Sequence, residues 1–65
     1  MGDDKDAYSV EEFCRRHGIS RAYAYLLWRR GEGPRFMRLG TRRLISREAA
    51  ADWRQEREGA GQKAA

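Results

Sequence analysis

The tripeptide Gly18-Ile19-Ser20 constrains this chain more than any other feature. Glycine takes the left-handed conformation that ends a helix, and serine is a favoured cap for the start of the next. Two helices must therefore meet across one apolar residue, Ile19, which the turn should bury. The flanks agree with this. Upstream, Ser9-Val10-Glu11-Glu12 fits a capping box. In that motif the Ser9 hydroxyl accepts from the Glu12 amide, and the Glu12 side chain returns to the Ser9 amide. Tyr8 and Phe13 occupy the hydrophobic-staple positions on either side. Val10, Phe13 and Cys14 share one helical face, with Glu11, Glu12, Arg15 and Arg16 off it, which predicts a helix over 10–17. Downstream, Ala24, Leu27 and Trp28 form an inward stripe, which predicts a second helix over Arg21–Arg30, ended by Gly31. This is the helix-turn-helix arrangement.

Gly31-Glu32-Gly33-Pro34 reads as a loop. Two short segments follow, Arg35–Leu39 and Arg42–Ile45, joined by Gly40-Thr41. Glycine at the first central position suits a type II′ hairpin turn. Ser46 then caps a third helix over 47–57, with Ala49, Ala50 and Trp53 facing inward. The expected fold is mainly α with a small β-hairpin, a winged helix-turn-helix in one domain over residues 8–57. Residues 1–7 and the small-residue stretch 58–65 read as flexible tails.

Charge is unevenly distributed. Residues 15–47 carry ten Arg against Glu32 alone, a net +9. Residues 1–14 carry −4, and residues 48–65 carry −1. A basic centre between acidic ends is the electrostatic footprint of a protein that binds a polyanion. The planar guanidinium suits phosphates and guanine edges.

Within that block the second helix comes first. Arg21 follows the N-cap directly, and the N-terminal part of this helix faces base edges when such a motif docks on duplex DNA. Its charge there also opposes the helix dipole, at a cost of about 0.3–1 kcal/mol, so a use elsewhere is expected. Arg21, Ala22, Tyr25 and Arg29 face outward. For Tyr25, which could give its hydroxyl to a phosphate, and for Tyr23, at the border of the inward stripe, packing and contact remain equal readings. Thr41, Arg42 and Arg43 tip the hairpin. A charged hairpin can serve only to blunt a sheet edge. Arginines on a hairpin beside a basic helix also suit a narrow minor groove. Arg42 and Arg43 should point to opposite sides of their strand. Arg35 and Arg38 read as phosphate partners or solvated charges.

Several classes are disfavoured. A chain of 65 residues is short for a walled catalytic cleft. One cysteine and one histidine cannot make a four-ligand zinc site or an internal disulfide. No apolar stretch approaches a membrane span. The chain is expected to be cytosolic, without cofactor or metal, and not an enzyme. Trp28 and Trp53 are expected as core anchors, Cys14 as a small buried hydrophobe, and His17 as a favourable charge in the last turn of its helix.

Taken in order, Ser9-Val10-Glu11-Glu12, Gly18-Ile19-Ser20-Arg21, Tyr25, Leu27, Gly31, Pro34, Leu39-Gly40, Arg42-Arg43, Arg47-Glu48 and Trp53 resemble the excisionase and AlpA-like small winged-helix proteins, relatives of the MerR DNA-binding domain. The resemblance covers residues 8–56. It implies that helix 2, through Arg21, Ala22, Tyr23 and Tyr25, enters the major groove of double-stranded DNA. It implies that the wing, through Thr41, Arg42 and Arg43, grips the adjacent minor groove. It further implies a phage or mobile-element setting, with an excisionase (a recombination directionality factor) that bends DNA and recruits an integrase, or an AlpA-like transcriptional regulator. Ala24 and Ala50 depart from the larger aliphatics usual in the family. Ala22 and Tyr23 replace a common Ser/Thr pair, so base preference does not carry over. A monomer of this size covers one short half-site, so side-by-side copies on DNA are expected. The competing class is a protein-interaction module, such as an anti-repressor whose Arg face binds an acidic partner.

Overall fold

The computed structural model describes residues 6–64, with side chains through Gly59. Within them lie three helices and a three-stranded antiparallel sheet. The order is β1 (Ala7–Ser9), α1 (Val10–His17), α2 (Arg21–Arg29), β2 (Met37–Leu39), β3 (Arg42–Ser46) and α3 (Arg47–Ala64).

Each helix begins on a serine. Ser9 Oγ accepts from the Glu12 amide and Ser20 Oγ from the Tyr23 amide, each at 3.1 Å. Ser46 Oγ accepts from the Ala49 amide at 2.9 Å. A serine cap contributes about 0.5–2 kcal/mol over alanine. Gly18 closes α1 in the left-handed region at φ 68°, and Ile19 N–H donates to the Cys14 carbonyl at 3.0 Å. Ile19 itself is half-buried, packed against the core rather than within it.

The core lies between α1, α2, α3 and the sheet. Phe13 and Ile45 are its two largest fully buried side chains, joined by Val10, Cys14, Ala24, Ala49 and Ala50. Burying side chains of that size contributes about 1.5–3 kcal/mol each. The two tryptophans are half-buried and secure the loop between α2 and β2. Trp28 Nε1 donates to the Pro34 carbonyl and Trp53 Nε1 to the Glu32 carbonyl, both at 2.8 Å. His17 lies over Phe13, with ring centroids 4.2 Å apart, and Arg54 reaches its Nε2 at 3.1 Å, which joins the end of α1 to α3.

The structure departs from expectation in four places. Ala7–Ser9 is a strand, where residues 1–7 were expected to be a flexible tail; residues 1–5 of that stretch lie outside the described residues. Its register is Ala7↔Ser46, Tyr8↔Ile45 and Ser9↔Leu44, so β3 is the central strand. The hairpin's first strand is Met37–Leu39 rather than 35–39; Arg35 pairs instead with Asp52 of α3 at 3.1 Å, and the Phe36 ring packs on Trp28 at 5.3 Å. The helical backbone of α3 continues through Gly59 to Ala64, beyond the expected end at 57 and through most of the expected tail. Glu12, expected off the buried face, is buried, and its Oε2 holds Arg16 Nη2 at 3.2 Å.

The hairpin turn agrees with its sequence. Leu39 pairs with Arg42, which leaves Gly40-Thr41 as a two-residue loop. Gly40 has φ 63° and Thr41 is not in the positive region, the combination a type II′ turn requires. No described helix is long and apolar enough to cross a membrane.

Candidate functional site

The first turn of α2, the start of α1 and the hairpin tip converge on one side of the molecule. An open groove of about 250 Å³ lies between them. Arg21 and Tyr25 line it from α2, Thr41, Arg42 and Arg43 from the hairpin, and Ser9, Val10 and Glu11 from the opening of α1. Five of the eight site residues expected from sequence thus share one concave surface. Ala22, Tyr23 and Arg29 do not line the groove; all three are exposed on α2.

Arg21 is placed by its cap. Ser20 fixes the first turn of α2, and that turn contains no acidic residue. Charge compensation comes from α1, where Glu11 Oε2 lies 3.6 Å from Arg21 Nη1. The dipole cost expected of Arg21 is therefore offset in part by Glu11, a residue the sequence placed only off the buried face of α1. The contact shows that the first turns of α1 and α2 lie within reach of each other.

Arg43 is the second residue that the structure recasts. Side chains alternate along a strand, so Arg43 shares the core-facing side of β3 with the fully buried Ile45. Its guanidinium carbon lies 4.5 Å from the ring centroid of Phe36 and 5.0 Å from those of Tyr25 and Trp28. The rings meet one another edge-on, Tyr25–Trp28 at 5.2 Å and Trp28–Phe36 at 5.3 Å. Cation–π contact with three faces contributes about 0.5–1 kcal/mol per good pair. Arg38, of like charge, is its direct cross-strand neighbour. Arg42 points to the other side and is exposed. The expectation that the two arginines would diverge holds, but they are not equivalent. Arg42 stands in solvent, while the Arg43 side chain is part of the packing that joins hairpin to α2. Tyr25, for which packing and contact were equal readings, packs and also lines the groove.

Cys14 lies directly behind this surface. Burial pushes its thiol above the ordinary value, with the positive charge of Arg21 acting in the opposite direction. Its Sγ reaches the Ser20 carbonyl at 3.7 Å, beside the cap that sets α2. No group of three or more metal-ligating side chains occurs among the described residues.

Comparison of the chain with protein-family models, with curated proteins and with solved structures finds no match.

Proposed function

We propose that the chain is a sequence-specific DNA-binding protein of winged helix-turn-helix type, with α2 entering the major groove and the β2–β3 hairpin lying on the adjacent minor groove. The observation that carries this reading is the groove in which Arg21, Tyr25, Thr41, Arg42 and Arg43 come together from two separate elements. A surface with four or more cationic or hydroxyl donors on a rigid scaffold suits a phosphate backbone bordered by base edges. Arg21 is the candidate for base contact, with Tyr23 exposed beside it. Arg42 and Arg29 are the candidates for phosphate. Arg43 gives its face to three rings, which leaves its N–H edge for a phosphate at the groove.

Within that class the resemblance favours an architectural role, an excisionase that bends DNA beside an integrase, over an AlpA-like regulator. The work in either case is positioning, without catalysis or cofactor, in the cytosol. Several copies side by side would extend the short footprint of one chain.

The test is titration of labelled duplex at several salt concentrations. Binding should weaken steeply with salt, with a log–log slope of about −0.9 for each phosphate neutralised. Absence of binding to any duplex at low salt ends the reading and favours the Arg face as a surface for an acidic protein. A circular-permutation gel then separates the two roles: a bent complex is expected of an excisionase.

A further inference from the structure

Among the described residues that line the groove, one is acidic. Glu11 sits at the opening of α1 with its Oε2 3.6 Å from Arg21 Nη1, and both side chains are exposed. A carboxylate on a surface that receives phosphates repels them, so its presence there asks for a use. Folding supplies only a small one, because the pair is exposed on both sides and offsets just part of the dipole cost at Arg21. At the start of α1 Glu11 adds a modest dipole contribution beside Glu12, and the cap itself is Ser9. What Glu11 does engage is Arg21, the cation at the first position of α2, whose own first turn carries no acid.

We propose that Glu11 is a specificity-determining residue: it holds the Arg21 guanidinium to one aim in the groove and penalises binding to duplex that offers phosphates without the matching base edge. This rests on the DNA-binding reading above. A guanidinium has a planar fork with more than one usable edge. The 3.6 Å ion pair engages one side of the fork, and the other edge can still give two parallel hydrogen bonds to guanine O6 and N7. Without the carboxylate, Arg21 is a loosely placed cation that a phosphate in any sequence can satisfy. Discrimination is a difference of affinities, and a repulsive element against the wrong partner widens it as well as an attractive one does. The repulsion from Glu11 acts on every duplex. Its aiming of Arg21 returns affinity only where the base edge fits.

The experiment uses the wild-type chain, Glu11→Gln, Arg21→Gln and the variant that combines the two. A duplex is selected from a pool with a randomised core by the wild-type protein. The affinity of each variant is then measured for that duplex and for an arbitrary one at the same salt. Glu11→Gln should bind the arbitrary duplex several-fold more tightly, and the selected-to-arbitrary ratio should fall by about tenfold, the scale of one bidentate base contact. In an Arg21→Gln background, Glu11→Gln should lower the ratio no further. A gain in affinity for arbitrary duplex is an outcome that a damaged fold does not produce. Equal change in both affinities, in either direction, or no change in either, overturns the inference. If the wild-type chain binds no duplex, the DNA-binding reading itself fails and this inference with it. That outcome is distinct from a wild type that binds and a Glu11→Gln variant that behaves like it.

Discussion

Arg43 and Phe36 face each other across the hairpin, with the guanidinium carbon 4.5 Å from the ring centroid. Phe36 lies just before β2, and Trp28 and Tyr25 complete the surround from α2, so one charged side chain joins two elements. Arg43→Met keeps the aliphatic stem and removes the charge. It should lower stability by about 1–2 kcal/mol, the sum of partly exposed cation–π contacts. In a domain of this size that is a fall of about 4–8 °C in melting temperature per kcal/mol. Arg42→Met, at an exposed position, should stay within about 0.5 kcal/mol of wild type. Thermal unfolding followed by circular dichroism checks both, and equal effects at 42 and 43 would remove the distinction between them.

Two glycines should respond to alanine with opposite signs. A Cβ on Gly33 would come 2.7 Å from Trp28 Nε1, the atom that donates to the Pro34 carbonyl. Gly33→Ala should therefore displace the indole and cost about 1–3 kcal/mol, as overpacking does. A Cβ on Gly59 meets nothing within 4 Å, and this residue lies inside α3. Gly59→Ala should stabilise by about 0.5–1 kcal/mol through the lower entropy of the unfolded chain. Chemical denaturation midpoints of the two variants, read against wild type, give the signs.

The Cys14 thiol should react slowly with alkylating reagents while the chain is folded. Burial raises its pKa above the ordinary 9.0, so the reactive thiolate is depleted, and the sulfur is also shielded. The same shift makes stability pH-dependent. The native state holds the proton more tightly than the unfolded state does. The contribution is therefore fully present below pH 9, and it is lost as pH rises through the folded value. Cys14→Ala should remove that alkaline decline. Labelling rates across a denaturant series, and melting temperatures between pH 8 and 11, test the two halves separately.

On duplex DNA, Arg42→Gln and Arg29→Gln should each reduce the salt slope by about 0.9, the value for one phosphate, and weaken binding to all sequences alike. Arg21→Gln should instead act mainly on the selected sequence, by about 1–3 kcal/mol. A uniform loss on Arg21→Gln would assign this residue to the backbone rather than to the bases.

Much of the fold was legible because it is encoded at short range. Ser9, Ser20 and Ser46 each cap a helix three residues before the amide they accept from, and Gly40-Thr41 sets its turn within four residues. The part that was not legible depends on distant partners. Nothing in Ala7-Tyr8-Ser9 marks a strand, because three residues give no alternation to read, and the partner strand lies close to forty positions away. The small-residue stretch 58–65 reads as a tail, yet the helical backbone continues through it to Ala64. In the site, the convergence of Arg21 with the hairpin followed from the order of the elements. The aromatic surround of Arg43 did not, although one signal was available. Ile45 is an obvious core residue, and period two places Arg43 on the same side of β3.

The pairing of Ala7 with Ser46 also has a consequence for how the chain acquires its shape. The two helices and the hairpin close over short separations, and such contacts form quickly. The β1–β3 ladder closes a loop of 39 residues and is extended by the Arg47 amide, which donates to the Asp6 carbonyl at 2.9 Å. During synthesis at about 5–20 residues per second, β1 emerges first and has to wait several seconds for its neighbour. The helical pair that presents Arg21 can thus be in place before the sheet behind it is complete. Until β1 pairs, β3 keeps a free edge that could pair with another chain.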